Sequence, residues 1–210
     1  MRVLSGLAQK GGVGKTTLTL HWAVQAQRQG IAKLAVIDLD TQASALAWSK
    51  RRMERGIHTP AMLQANEHNL RDALAACDAE GMELVLVDTM PRVEKPCIEA
   101  AKVAQLGIIP CGPSPVDMEA IGATIAIIRR EQIPGCIVLN QGRPGSHVNT
   151  KAAKVLSQYE LPVCPVHIMR RASLADAFID GRAVVELDPA SKAAEEIARS
   201  WKWIVKQLKG

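Results

Sequence analysis

Gln9-Lys10-Gly11-Gly12-Val13-Gly14-Lys15-Thr16-Thr17 follows directly on the apolar run Val3-Leu4-Ser5-Gly6-Leu7-Ala8. A glycine-rich turn between a strand and a helix presents backbone N–H groups as a concave anion site, and the positive end of the helix reinforces it. At this spacing Lys15 reaches the β- and γ-phosphates of a nucleotide and the Thr16 hydroxyl meets Mg²⁺. The strict phosphate-loop pattern carries glycine where Gln9 stands, and the departure adds a second lysine, Lys10, at the front of the loop. A flexible connector needs glycine but no Gly-Lys-Thr-Thr at a strand-to-helix junction, so the anion-site reading is the stronger one.

Around this stretch the chain is regular. Apolar runs that read as strands occur at Val3–Ala8, Leu34–Ile37, Leu84–Val87, Leu106–Cys111, Cys136–Leu139 and Val163–Ile168. Segments with helical periodicity separate them, among them Thr17–Arg28, Leu70–Asp78, Val116–Arg130 and Thr150–Gln158. Alternation of this kind predicts right-handed crossovers and an α/β fold, a doubly wound, mainly parallel sheet with helices on both faces. Continuous rather than alternating apolar runs predict strands buried on both sides. No linker, repeat or low-complexity tract interrupts the chain, so residues 1–210 are expected to form one domain. Aromatics make up only 3% of a chain that is 48% hydrophobic, which predicts an aliphatic core. No apolar stretch approaches a membrane span and the N-terminus lacks the features of a signal peptide. Cys77, Cys97, Cys111, Cys136 and Cys164 form no Cys-x-x-Cys pair and are expected to be buried thiols in a reducing compartment rather than metal ligands.

In doubly wound sheets the chemistry sits at the carboxyl ends of the strands. Asp38-Leu39-Asp40-Thr41-Gln42 ends one predicted strand, and Leu84-Val85-Leu86-Val87 runs into Asp88-Thr89. A carboxylate after four aliphatics is the expected arrangement for holding Mg²⁺ through its water shell. Taken alone, either acid is equally readable as a cap for the following helix. Beside a phosphate loop in the same sheet, metal and water roles are preferred.

The loop of residues 9–17 resembles the deviant Walker-type loop of the ParA/MinD family of dimerising ATPases, and the resemblance runs from Met1 to about residue 198. It implies ATP and Mg²⁺ as cofactors, with Gly11, Gly12, Val13, Gly14, Lys15, Thr16 and Thr17 around the phosphates. It implies that Lys10 reaches across an ATP-bound homodimer to the partner's phosphates. By the same resemblance Asp40 orients the attacking water and Asp38 supports its loop. Thr16, Asp40 and Asp88 form the metal environment, and Asn140 hydrogen-bonds adenine. Asp88-Thr89-Met90-Pro91 departs slightly from the family's Asp-Thr-Pro-Pro, and Pro113-Ser114-Pro115 is similar to a proline-rich turn that faces the dimer partner.

Charge separates members of such a family. Residues 1–128 balance 13 basic against 13 acidic side chains, whereas residues 129–210 carry 13 basic and 8 acidic, so the whole +5 lies in the C-terminal part. A one-sided basic surface predicts a polyanion partner, bound with counterion release. The contributors are Arg129, Arg130, Arg143, Lys151, Lys154, Arg170, Arg171, Arg199, Lys202, Lys206 and Lys209, with Arg170, Arg171, Lys202 and Lys206 singled out as DNA contacts. The resemblance then implies a short ParA-type partition ATPase: cytoplasmic, nucleoid-associated and bound non-specifically to DNA. Its slow hydrolysis would be stimulated by a ParB-like centromere- or cargo-binding partner. The rival is a membrane-associated switch like MinD. Ile197, Trp201, Ile204, Val205 and Leu208 share one helical face opposite Arg199, Lys202, Lys206 and Lys209, a pattern that suits either a bilayer interface or a closing helix packed on the sheet. Packing on the sheet is the preferred expectation, with membrane docking second.

Overall fold

The computed structural model describes residues 1–91 and 94–208. Six parallel strands form one sheet in the order β3-β2-β4-β1-β5-β6. They are β1 (Arg2–Gly6), β2 (Leu34–Asp38), β3 (Ala61–Gln64), β4 (Leu84–Asp88), β5 (Leu106–Cys111) and β6 (Gly135–Leu139). The helices are α1 (Lys15–Arg28), α2 (Ser44–Glu54), α3 (Leu70–Ala79), α4 (Glu94–Val103), α5 (Pro115–Arg130), α6 (Val148–Leu156), α7 (Ala172–Asp180), α8 (Val184–Leu187) and α9 (Lys192–Gln207).

Successive side chains on a strand point to opposite faces, and each face has its own core. Leu4, Val36, Leu86, Ile108 and Val138 pack with α1, α2, α7, α8 and α9. Val3, Ala35, Val85, Ile109 and Ile137 pack with α3, α4, α5 and α6. Both cores are mainly aliphatic, but Trp22, Trp48 and Trp201 are fully buried in the first. All five cysteines are buried free thiols.

The run Val163–Ile168, expected as a strand, is not one. It lies beside β6 and meets it through one parallel bridge, Ile137 with Val163, and a second bridge, Gly142 with Met169, lies just past the ends of both. Pro162 and Pro165 flank Cys164 and cannot donate to a ladder. The sheet instead gains β3, a four-residue edge strand that the sequence reading missed.

The apolar stripe of α9 is part of the first core. Ile197, Trp201 and Ile204 are buried, and Trp203, Val205 and Leu208 pack against the same cluster. Lys202 and Lys206 lie on its exposed side, while Lys209 falls outside the described residues. Among the described residues no helix is long and apolar enough to cross a membrane.

Candidate nucleotide site

The register of the sheet assembles the site. Gly6, Asp88 and Asp38 are Cα partners across β1, β4 and β2, so three strands end in one row. The chain leaves β1 as a loop and re-enters helix at Lys15, with Gly14 as the N-terminal cap at φ +88° and Gly12 at φ +76°. Left-handed backbone at those two positions favours glycine. At Gly14 a Cβ would also stand 2.2 Å from the Asn140 Nδ2.

Lys15 is only 6% exposed, and burial lowers its pKa against the opposing pull of Asp88, Cys97 and Asp40. Asp88 is fully buried and neither carboxylate oxygen is hydrogen-bonded. Burial pushes its pKa up to about 7; the neighbouring Thr16 hydroxyl and Lys15 hold it down, while Asp38 and Asp40 push it further up. A buried carboxylate without a donor is costly in an isolated protein. It is also what an ion beside Thr16 requires. Among the described residues no three His, Cys, Asp or Glu side chains converge on a metal position. A Mg²⁺ that takes its remaining ligands from phosphate and water needs no more than one or two carboxylates. Thr16 and Asp88, with Asp40 at the rim, therefore fit the ion.

The two acids that end β2 differ in use. Asp38 is buried and accepts from the Asp40 N–H at 2.9 Å and the Ala45 N–H at 3.2 Å, so it ties the loop to the start of α2. Burial raises its pKa, and those backbone donors oppose the rise. Asp40 spends one oxygen on the Gln42 N–H at 2.9 Å. It lines a cavity of about 280 Å³ with Lys15, Thr16, Thr89, Pro91 and Gln141. The Thr89 hydroxyl fixes the turn after β4 by donating to the Gly6 carbonyl at 2.7 Å.

Lys10 stands at the other end of the loop, a third exposed and ion-paired with Asp117. Burial alone would raise the Asp117 pKa, but hydrogen bonds from Lys10 and Ser114 outweigh it and hold it low. Ser114 caps α5 and donates to Asp117 at 2.5 Å, and Gly112 leaves room for the carboxylate. The sequence reading missed Asp117. Ser-Pro-Val-Asp signals a helix start, but nothing local connects it to Lys10.

A larger cavity, about 620 Å³, opens beside the loop between Gly12, Gly14, Thr17, Asn140, Gln141 and the segment Met169–Ala175. Asn140, expected to meet adenine, lines this cavity, and its Nδ2 donates to the Val13 carbonyl at 2.7 Å. Arg170 and Arg171 line this cavity too, and Arg171 pairs with Glu196 of α9 at 2.5 Å. The far wall is pinned by His21 of α1. Its Nδ1 accepts from the Val184 N–H at 3.1 Å, which leaves Nε2 to face the Leu174 carbonyl at 3.4 Å. Burial lowers its pKa to about 4, so the ring is neutral.

A strand, a phosphate loop, two strand-end acids and an adjoining cavity define a phosphate-loop nucleotide-binding protein. The chain belongs to the CobQ/CobB/MinD/ParA nucleotide-binding domain family, whose model matches residues 5–185. It is 26% identical over 216 residues to the maintenance of carboxysome distribution protein A of Gloeobacter kilaueensis, covering 96% of each chain. It is 24% identical to the chromosome-partitioning ATPase Soj of Thermus thermophilus, covering 91% of this chain and 90% of that one. The structure of the septum site-determining protein MinD of Pyrococcus horikoshii with Mg-ADP superposes with a TM-score of 0.77 at 16% identity, over 98% and 96% of the two chains.

Proposed function

We propose that this ParA/MinD-family ATPase binds ATP with Mg²⁺, dimerises on it, coats DNA without sequence preference, and is released when a partner on the cargo stimulates hydrolysis. One observation carries the reading: the phosphate loop has two lysines in opposite environments. Lys15 is buried toward Asp88 and Asp40, whereas Lys10 is partly exposed at the rim and held by a surface ion pair. The first is committed to the chain's own nucleotide. The second is free to leave Asp117 for an anion presented by a second copy.

Thr16 and Asp88 would hold Mg²⁺, which would supply neutralisation of the phosphate charge. The loop N–H groups and Lys15 bind the phosphates, and Asp40, anchored through Asp38 and Gln42, orients the attacking water. Among the described residues no arginine lines the 280 Å³ cavity, which suits a slow basal rate raised in trans. Arg143, Lys151, Lys154, Arg170, Lys202 and Lys206 make no ion pair among the described residues and supply the DNA-facing charge. The packed stripe of α9 favours this reading over membrane docking. The cargo is a replicon or another large body, as with the carboxysome and chromosome proteins it is similar to, and the setting is the cytoplasm at the nucleoid.

The test is a mobility shift on arbitrary duplex DNA with ATP and with ADP, alongside size-exclusion runs. ATP-dependent dimers that bind DNA, and bind less as salt rises, support the reading. Equal DNA affinity with both nucleotides removes the switch, and binding to anionic liposomes instead of DNA transfers the protein to the membrane class.

A further inference from the structure

Two successive peptide planes of the phosphate loop are held from outside it. The Gln141 Nε2 donates to the Gly12 carbonyl at 2.6 Å, and the Asn140 Nδ2 donates to the Val13 carbonyl at 2.7 Å. A trans peptide is planar, with N–H and C=O on opposite sides. Turning the Gly12 carbonyl toward Gln141 therefore turns the Val13 N–H away from it. Fixing the Val13 carbonyl does the same for the Gly14 N–H. Successive N–H groups on one side of such a turn form the nest that binds an anion. A glycine-rich loop without these fasteners samples many conformations, and in some of them carbonyl oxygens face the phosphate.

The grip is anchored independently of any ligand. The Asn140 N–H donates to the Cys111 carbonyl at 2.8 Å, and the Gly142 N–H to the Ile168 carbonyl at 2.9 Å. Asn149, buried, takes the Arg143 N–H at 2.9 Å and returns a bond to the Arg143 carbonyl at 2.7 Å. Gln141 itself sits at φ +56°, a sparsely populated region for a residue with a side chain, and such outliers persist where the surroundings over-determine them. It borders both the 620 Å³ and the 280 Å³ cavities.

We infer that Gln141 is a positioning residue for phosphate binding: with Asn140 it locks the loop carbonyls outward and so preorganises the N–H nest, acting on the phosphates and not on the base. The inference rests on the nucleotide reading above. The experiment uses three probes on the full chain with Mg²⁺: ATP, inorganic tripolyphosphate, which has no base, and adenosine, which has no phosphate. Gln141→Met keeps the length and the backbone demand but donates nothing. Gln141→Gly relieves the positive φ and also donates nothing, so it remains informative if the first variant folds poorly. Both variants should lose affinity for ATP and tripolyphosphate by the same factor, about fivefold to tenfold for one neutral hydrogen bond, and keep that for adenosine. Loss toward ATP and adenosine with tripolyphosphate unchanged would make Gln141 a base contact and overturn the inference. So would a lower melting temperature with all three affinities unchanged. If the unaltered protein binds neither ATP nor tripolyphosphate, the nucleotide reading itself fails, which is a separate result.

Discussion

The phosphate side of the site and the 620 Å³ cavity beside it are built on opposite principles. On the phosphate side polar groups are buried and left wanting: Lys15 is desolvated and both oxygens of Asp88 lack a donor. Around the cavity polar groups are largely partnered: Asn140 and Gln141 hold loop carbonyls, Asn149 clamps Arg143, and Arg171 pairs with Glu196. An unmet group in a dry setting has a large energy to gain when its counter-ion arrives, whereas a met one gains little and serves to keep the walls in place. The contrast separates where ligand charge is recognised from what holds the recognising groups still.

The contrast can be broken most forcefully at Lys15. Lys15→Ala should abolish turnover and weaken nucleotide binding a hundredfold or more, since it removes a charge-assisted contact from a desolvated position. Turnover at the wild-type rate would end the nucleotide reading. Asp40→Ala should still bind Mg-ATP and dimerise yet hydrolyse about a hundredfold more slowly; an unchanged single-turnover rate would assign water activation elsewhere. Lys10→Ala sharpens the comparison between the two lysines. Nucleotide affinity should stay within about twofold while the ATP-dependent dimer peak is lost, because an exposed, ion-paired lysine contributes little to its own chain's site.

A subtler check follows from Asp88. With a folded pKa of about 7 it is roughly half protonated at pH 7, and Mg²⁺ requires the carboxylate. Binding of Mg-nucleotide should therefore release protons near pH 7 and fewer as the pH rises to 9, read by calorimetry in buffers of different ionisation enthalpy. The stability linkage has a definite sign. The folded pKa lies above the ordinary carboxyl value, so the Asp88 contribution is complete below about pH 4 and is lost as pH rises through 7. His21, lowered to about 4, acts oppositely. Its contribution is complete above about pH 6.5 and is lost as pH falls toward 4. Between those limits the two contributions oppose each other, and His21→Asn should make the stability fall more steeply with rising pH. The smallest effect is expected at the surface. Lys202→Ala with Lys206→Ala should weaken DNA binding several-fold and flatten its salt dependence, by about 0.9 in log–log slope per lost phosphate contact. ATPase activity should not change.

Legibility in the sequence follows the same divide. The phosphate side is contiguous: nine residues announce the loop, and Asp38, Asp40 and Asp88 end apolar strands, so their convergence follows from a parallel sheet. What holds the walls of the site in place is made by contacts between distant positions. Asn140 meets Val13 across 127 residues and Lys10 meets Asp117 across 107, and no local pattern encodes either. Asn140 enters the sequence reading only through resemblance, and Gln141 and Asp117 do not enter it at all. Composition likewise carries no sign that Arg171 pairs with Glu196 of α9. β3 was missed because four residues behind Pro60 carry too little pattern, and Val163–Ile168 was read as a strand because its apolar residues outweighed its prolines.

The helix that closes the chain has a further consequence. Ile197, Trp201 and Ile204 of α9 are buried against the sheet, and each such side chain is worth roughly 1.5–3 kcal/mol of burial. A bilayer offers the same apolar environment but no more of it, so lipid could capture this helix only by exchanging one burial for another. The exchange would strip the cover from Trp22, whose indole N–H donates to Ser200 at 2.9 Å, and reach α1 directly behind the phosphate loop. Detaching the C-terminus is therefore the same event as loosening the nucleotide site, and a cut made before Lys192 should cost ATP binding as well as stability.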